Sequence, residues 1–227
     1  MREGVMTGCS AAREWMLPWW FENYQKHHTL PVVFADLGMT QAAKEWCRAR
    51  GVLLSLDQEK KRLLGIQQEK ETHDLLGQLL ALMKTPFQKT IWLDLDCEVV
   101  GALTPMFHKM HSRALFSLMK ERDPLSGEFI YNTGVIVYDQ SSRILEMWLE
   151  RALSFHHSKE RGKEILGTLI QEEAVEFTEL PSKYNWDMHL GIHPEAVILH
   201  WRGDWGKRVI WNSIKRWNLG KQSCLKF

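Results

Sequence analysis

The sequence predicts an α/β fold, with one domain built on a mostly parallel, Rossmann-like central sheet that carries helices on both faces. Two observations favour this fold. Short apolar runs typical of strands alternate with helical segments, and the connections between them are short. The 227 residues are 44% hydrophobic and 25% charged, which is typical of a soluble globular chain long enough to bury one large core.

The first part of the chain supplies most of this alternation. Its predicted strands, which are short apolar runs closed by turn-forming residues, are 4–9, 31–35 and 51–56. Its predicted helices are 14–27, 40–49 and 72–83, with Thr40 and Thr72 as N-caps. The highly charged segment 57–70 is predicted to be a loop or an exposed helix.

The second part continues with strands at 114–119, 129–139 and 196–199. An amphipathic helix is predicted at 143–155, and segment 177–186 is expected to be extended. Asn132-Thr133-Gly134 interrupts the strand at 129–139. This interruption indicates a bulge or a close approach of the backbone to a ligand, with a simple turn as the alternative.

Two carboxylates stand in the central stretch Thr-Ile-Trp-Leu-Asp-Leu-Asp-Cys-Glu-Val-Val, residues 90–100. In an extended strand Asp94 and Asp96 would project from the same side. Two neighbouring carboxylates at a buried strand end are costly unless a cation lies near them. Oxygen ligands of this kind suit Mg²⁺ or Mn²⁺, and the alternative is a pair of solvated aspartates at a turn.

The last predicted strand runs into His200-Trp201-Arg202-Gly203-Asp204-Trp205-Gly206-Lys207. A histidine in such a place is more often structural than a ligand, although imidazole is the commonest metal ligand. The glycines and Lys207 favour a second interpretation. Backbone N–H groups beside glycine, together with an ammonium group, can neutralise a diphosphate.

Charge and cysteine content exclude several classes of function. A net charge of +1 does not favour binding to nucleic acid. The four cysteines form no C-x-x-C pair, so we expect free thiols, no zinc site and a reducing, cytoplasmic location. We see no apolar run of the roughly twenty residues that a membrane span needs.

Four motifs carry a resemblance to a known family: W-L-D-L-D-C-E-V with L-T-P-M-F, F-I-Y-N-T-G-V-I-V-Y-D, L-P-S-K-Y-N-W and H-W-R-G-D-W-G-K. In this order they resemble the nucleotide-sugar glycosyltransferases of the GT-A fold, and particularly the group of glycogenin and the bacterial lipopolysaccharide galactosyltransferases. The resemblance runs from about residue 4 to residue 211. It implies transfer of a sugar from a nucleoside-diphosphate donor, such as a UDP-sugar, with retention. The acceptor would be a glycan, a lipid-linked sugar or a protein.

The same resemblance implies roles for individual residues. The metal ligands for Mn²⁺ or Mg²⁺ would be Asp94, Asp96 and His200. The nucleotide and diphosphate contacts would be Thr7, Cys9, Asp94, Asp96, Gly203 and Lys207. The catalytic residues near the transferred sugar would be Asn132, Gln171 and Glu172, where the last two replace an Asp-Gln pair of the family.

Departures from the family pattern fall on the base and sugar half of the site. After the first strand the chain has Ser10-Ala11-Ala12-Arg13 where the family tends to carry an acid and an aromatic residue. Residues 74–78 lack the arginine or lysine that the family commonly offers to the donor.

Two other functions stay open. A haloacid-dehalogenase-type phosphatase also carries D-x-D, but its motif lies near the start of its domain with Thr or Val where this chain has Glu98. A non-catalytic protein that binds sugars or nucleotide sugars on a decayed transferase fold would explain the altered base pocket.

The C-terminal segment differs in composition from the rest. We predict a transferase-like domain over 1–206 and a basic, aromatic tail over 207–227, because no acid follows Asp204. Val209, Ile210, Ile214 and Trp217 fall at helical spacing, so the tail is expected to be a helix docked on the core. The alternative is weak peripheral contact with an anionic membrane, which would suit a lipid-linked acceptor.

Overall fold

Strands and helices alternate along most of the chain. A computed structural model describes residues 2–57, 70–110, 114–122, 127, 129–154 and 162–223. The strands are β1 (Glu3–Cys9), β2 (Val32–Asp36), β3 (Val52–Ser55), β4 (Lys89–Leu93), β5 (Cys97–Val99), β6 (Phe116–Arg122), β7 (Phe129–Asp139), β8 (Thr178–Glu179), β9 (Trp186–Asp187) and β10 (Ile198–His200). The α-helices are α1 (Leu17–His27), α2 (Gln41–Arg48), α3 (Lys70–Met83), α4 (Arg143–Ser154), α5 (Gly162–Glu172) and α6 (Gly203–Ser223).

Seven of the strands form the central sheet, in the order β3-β2-β1-β4-β7-β6-β8. Six of them run in the same direction, and β7 runs antiparallel to its neighbours β4 and β6. The prediction of a mostly parallel sheet is therefore confirmed. A second, three-stranded sheet has the order β5-β10-β9 and begins directly after β4.

Successive residues of the central strands are buried on opposite faces of the sheet. Val5 belongs to one core cluster together with residues of α1, α2 and α6, whereas Met6 belongs to a second cluster with residues of α3, α4 and α5. Ile91 and Trp92 of β4 divide in the same way. Both faces of the sheet are therefore covered by helices, as the sequence predicted.

A proline and a capping threonine lie at the starts of α1 and α2, respectively. The segment predicted as one helix begins with a 3-10 turn, Glu14–Met16, and Pro18 then lies in the first turn of α1, where no backbone hydrogen bond is lost. The Thr40 hydroxyl accepts a hydrogen bond from the Ala43 N–H and caps α2, as predicted. The prediction of Thr72 as a cap is wrong, because α3 is already helical at Lys70. Most of the charged segment, 58–69, lies outside the described residues.

A bulge interrupts β7 at the place where the sequence predicted one. Leu118 of β6 pairs with Ile136, but its neighbour Met119 pairs with Asn132. The three residues 133–135 therefore have no partner on β6. The bulge separates a part of β7 that pairs with both β4 and β6 from a part that pairs with β6 alone.

The final helix extends through the predicted boundary between residues 206 and 207, since α6 begins at Gly203. Ile210 is buried, and the half-buried Ile214 and Trp217 pack against the same core cluster. No helix in the described part of the chain is long and apolar enough to cross a membrane. Cys9, Cys47 and Cys97 are buried free thiols, and Cys224 lies outside the described residues.

Candidate functional site

The two aspartates of the central motif lie in a turn between β4 and β5. The Cys97 N–H donates to the Asp94 carbonyl oxygen at 3.0 Å, so the chain reverses here and enters the second sheet. The expectation that Asp94 and Asp96 share one face of an extended strand is therefore wrong. The turn nevertheless directs both residues to the wall of the same pocket.

This pocket has a volume of about 440 Å³ and lies beyond the carboxyl ends of β1 and β4. Four of the predicted site residues line it, namely Cys9, Asp94, Asp96 and Lys207. Its position agrees with the rule that ligands of such sheets bind outside the carboxyl ends of the strands. The pocket is therefore the candidate binding site for a nucleotide-sized ligand.

His200 reaches the same place from β10, although it is more than one hundred residues from Asp96 in sequence. Its Nε2 lies 3.3 Å from Asp96 Oδ1, and its Nδ1 lies 2.8 Å from Asn185 Oδ1. An amide oxygen can only accept, so Nδ1 carries the proton and donates. This leaves Nε2 as the nitrogen that is available to a metal ion.

Gly134, in the β7 bulge, makes room for this imidazole. A Cβ atom at position 134 would lie 2.3 Å from His200 Cε1. The Gly134 carbonyl accepts from the Asp94 N–H at 2.8 Å, so the bulge also contacts the turn that holds the aspartates. The bulge therefore serves as the support on which the histidine and the aspartate turn meet.

In the described part of the chain, one group of three side chains could hold a metal ion. These are Asp96, Cys97 and His200, whose ligand atoms lie within 4.8 Å of one another. Cys97 is a poor candidate, because burial raises its pKa well above the usual value and its Sγ donates to the Gly134 carbonyl at 3.7 Å. Asp94 stands outside this group, and its Oδ1 accepts from Trp92 Nε1 at 2.7 Å. The remaining oxygen and nitrogen donors, with the carboxylate of Asp94 beside them, fit a hard divalent cation such as Mn²⁺.

The two aspartates titrate differently. Burial and the nearby charge of Asp96 raise the pKa of Asp94 to about 6. Burial also acts to raise the pKa of Asp96, but the neighbouring imidazole of His200 and the charge of Lys207, whose Nζ lies 3.4 Å from Asp96 Oδ2, lower it overall. At neutral pH both carboxylates are available as anionic ligands.

The other predicted contacts are distributed around this pocket. Thr7 is fully buried and does not line it. Gly203 is exposed in a left-handed conformation, with φ of 67°, and its carbonyl accepts from Lys207 Nζ at 3.4 Å. Asn132 supports the bulge, since its Oδ1 accepts from the Gly134 N–H at 3.0 Å and its Nδ2 donates to Glu121 at 3.2 Å.

Gln171 and Glu172 are not brought to the pocket. Both are exposed at the end of α5, and Glu172 forms an ion pair with Arg151 of α4. Neither residue is among those that line the pocket. Their catalytic role stays a prediction.

The lining residues that were not predicted from the sequence include Arg13, Gln78, Trp92 and Thr133. Arg13 and Gln78 fall in the two segments that had been interpreted only as departures from a family pattern. The position of Arg13 in the sequence could have identified it, because Arg13 closely follows the end of β1, and ligands of such sheets bind at strand ends. Gln78 lies on α3, and its Nε2 donates to the Thr133 carbonyl at 3.5 Å.

Comparison with known proteins gives matches in structure but not in sequence, since no family model and no curated protein matches the chain. The glycosyltransferase GlyE of Streptococcus pneumoniae TIGR4 matches with a TM-score of 0.66 and 15% identity, over 90% of this chain and 55% of GlyE. The galactosyltransferase LgtC, solved with donor and acceptor sugar analogs, matches with a TM-score of 0.67 and 13% identity, over 92% of this chain and 94% of LgtC. Mouse xyloside xylosyltransferase 1 gives 0.64 and 11%, over 90% and 98%.

The matches extend over about nine-tenths of this chain, and at these identities they show its fold. This chain spans about half the length of GlyE and almost all of LgtC and of the xylosyltransferase. The mostly parallel sheet agrees with the fold that the sequence resemblance implied. The chain has the fold of the GT-A glycosyltransferases.

Proposed function

We propose that this chain is a glycosyltransferase that depends on a divalent metal and moves a sugar from a UDP-sugar or similar donor to an acceptor, with retention. The acceptor would be a glycan, a lipid-linked sugar or a protein. The single observation that carries the proposal is that His200 Nε2 and Lys207 Nζ both approach the carboxylate of Asp96, which lines the pocket. The fold it shares with glycosyltransferases, and the motif resemblance, support the same activity.

Asp96 and His200, with Asp94 beside them, are the residues that would hold Mn²⁺ or Mg²⁺. Such an ion, when bound, neutralises negative charge on a diphosphate leaving group. Trp92 fixes the Asp94 carboxylate through its indole N–H, and Asn185 fixes the imidazole of His200. The ligands are therefore oriented by the protein before any ion binds.

The cationic side chains on the pocket wall are Lys207 and Arg13. They would bind phosphate oxygens by charge-assisted hydrogen bonds and stabilise the charge that develops as the diphosphate leaves. Lys207 is one-fifth exposed and lies against Asp96, so its ammonium group is held at the pocket rather than in bulk solvent. These two residues are the donor-binding cations of the proposal.

One observation favours a second candidate, a non-catalytic protein that binds nucleotide sugars. Gln171 and Glu172 lie outside the pocket, and Glu172 is paired with Arg151. A site that lacks these residues could bind a donor without transferring its sugar. Release of UDP from UDP-glucose and UDP-galactose in the presence of Mn²⁺ and a mixture of acceptor sugars distinguishes the two, because only the transferase turns over.

Calorimetric titration with UDP, with and without Mn²⁺, tests the metal site itself. In the parent protein we expect Mn²⁺ to tighten UDP binding, and Asp96→Asn should abolish this tightening because it removes the charge while keeping the shape. His200→Ala should weaken it. Asp204→Asn is the matched control, since Asp204 is an exposed acid nearby that does not line the pocket.

The proposal fails if Mn²⁺ does not change UDP binding by the parent. It also fails if folded Asp96→Asn and His200→Ala proteins respond to Mn²⁺ as the parent does. Circular dichroism of each variant establishes that it is folded.

A further inference from the structure

The apolar loop, residues 188–193 between β9 and β10, presents two large aliphatic side chains to solvent. Leu190 is 70% exposed and Ile192 is 91% exposed. In the described part of the chain, every other large hydrophobic side chain is exposed by 46% or less. Removal of apolar surface from water is favourable, so these two side chains offer binding energy to a partner that can take them up.

Contacts with neighbouring residues fix the shape of the apolar loop. Trp186 Nε1 donates to the Gly191 carbonyl at 2.8 Å, and the Asp187 carboxylate accepts from the His189 N–H at 2.9 Å. The Trp186 ring also contacts the ring of His193, with 4.5 Å between the centroids. Gly191 has a φ of 86°, in the left-handed region that favours glycine. The loop is therefore a defined turn from which the two aliphatic side chains project.

The first turn of α6 lies against the apolar loop. The ring of His189 lies 4.8 Å from the ring of Trp205, measured between centroids. Trp205 is 40% exposed and contacts the ring of Trp201 on its other side, at 5.6 Å. The apolar surface of the loop therefore continues onto α6.

The outer face of α6 combines tryptophan with basic residues. The exposed residues beyond Trp205 recur at spacings that place them along one side of the helix; they are Arg208, Trp211, Asn212, Lys215 and Arg216. Lys215 Nζ lies 5.3 Å from the centre of the Trp211 ring. No acidic residue follows Asp204 in the sequence. This face is therefore positively charged and aromatic, and it adjoins the apolar loop.

These side chains favour a lipid surface over other partners. Aliphatic side chains that project from a turn can enter a soft apolar phase, tryptophan is enriched at the level of lipid headgroups, and basic residues attract anionic headgroups. A nucleic acid would use the basic residues but would leave the aliphatic side chains in water. Lysine is depleted in protein–protein interfaces, which disfavours a protein partner.

We propose that the apolar loop inserts into an anionic lipid bilayer, on which the outer face of α6 also lies. Leu190 and Ile192 enter the apolar phase, and the basic residues of α6 contact the headgroups. Binding needs both contributions, because one weak membrane signal gives only marginal and reversible attachment. This inference goes beyond the proposed function and does not depend on it.

Sedimentation of the full chain with vesicles of equal parts phosphatidylcholine and phosphatidylserine tests the proposal. We expect the parent to bind these vesicles and to bind pure phosphatidylcholine vesicles less. The double variant Leu190→Ser with Ile192→Ser should bind the mixed vesicles about tenfold less tightly or worse. Its Tm should match that of the parent, because both side chains are exposed.

Val52→Ser is the matched control. Val52 is another exposed aliphatic residue, 46% exposed, but it lies on β3 at the edge of the central sheet and not in the second sheet. This variant should bind the mixed vesicles as the parent does. Calorimetry with UDP and Mn²⁺ on the same proteins reports on the proposed function separately, so failure of one proposal leaves the other standing.

The inference is overturned if the parent does not bind the mixed vesicles. It is also overturned if the double variant binds them as Val52→Ser does, since α6 alone would then make the contact. Light scattering tests a second copy of the chain as the partner. A dimeric parent that becomes monomeric in the double variant would assign the apolar loop to that dimer and refute the membrane contact.

Discussion

Replacement of Gly134 by alanine should disturb the candidate metal site without replacing any of its proposed ligands. The new Cβ would lie 2.3 Å from His200 Cε1, whereas ordinary contact begins at 3.4 Å. The imidazole must therefore move by about 1.1 Å, the difference between these distances. Such a movement strains its 2.8 Å hydrogen bond with Asn185 and displaces Nε2 from Asp96.

Two effects follow from this displacement. Overpacking of a buried position costs about 1–3 kcal/mol of unfolding free energy. For a chain of this length, that loss lowers the Tm by about 2–12 °C. Misplacement of a metal ligand of this kind costs about 10–100-fold in metal affinity, so the gain in UDP affinity on addition of Mn²⁺ should fall accordingly.

Thermal unfolding and calorimetry measure the two effects in the same samples. Gly101→Ala is the matched control, because its Cβ would lie 3.4 Å from the nearest atom, the Cα of Val197. In a His200→Ala background the ring is absent, so Gly134→Ala should then cost little further stability. An unchanged Tm and Mn²⁺ response for Gly134→Ala would refute the reasoning, and so would an equal loss of stability with and without the His200 ring.

The remaining predictions concern acid stability and the final helix. Asp36 accepts hydrogen bonds from Lys44, at 2.7 Å, and from the N–H groups of Gly38 and Met39. Burial alone would raise the pKa of Asp36, but these hydrogen bonds lower it overall. Its contribution to stability is therefore full above the unfolded pKa of about 4 and is lost as the pH falls through the lower folded value. Asp36→Asn should lower the free energy of unfolding by about 1–3 kcal/mol at pH 7. Urea unfolding between pH 3 and pH 7 should show a smaller loss of stability toward acid pH for this variant than for the parent. An equal loss in the two proteins would contradict this. On α6, Trp205 and Trp211 are 40% and 46% exposed, and the exposed cations beside them are Arg208, Lys215 and Arg216. We expect weak co-sedimentation with phosphatidylserine vesicles, with about 1 kcal/mol from each basic residue, and replacement of the three cations by alanine should abolish it. Equal binding to neutral phosphatidylcholine vesicles would contradict an electrostatic contact.

Local patterns in the sequence predicted the order of strands and helices well. Short apolar runs that alternate with helical segments predicted the parallel strands, and Thr40 caps α2 as expected. The break at Asn132-Thr133-Gly134 marked the bulge in β7. These features depend on residues that are neighbours along the chain, and the chemistry of such neighbours can be recognised without a structure.

The turn at Asp94 and Asp96 was not predicted, because the local sequence there is also compatible with one long strand. Apolar residues on both sides of the aspartates suggested one continuous strand, but Leu93 ends β4 and Cys97 begins β5 in another sheet. The hydrogen bond from the Cys97 N–H to the Asp94 carbonyl closes this turn. Local propensity could not distinguish a continued strand from a change of sheet, because both bury the same apolar residues.

The sequence by itself determined the fold class, the strand ends at which a ligand would bind, and the residue types available there. Only the tertiary structure decided which of those residues meet. It brings His200 to Asp96 over the space left by Gly134, adds Arg13 and Gln78 to the pocket, and leaves Gln171 and Glu172 outside it. The physical reason is that these encounters depend on sheet register and on packing between segments far apart in the chain, where a single missing Cβ decides whether an imidazole fits.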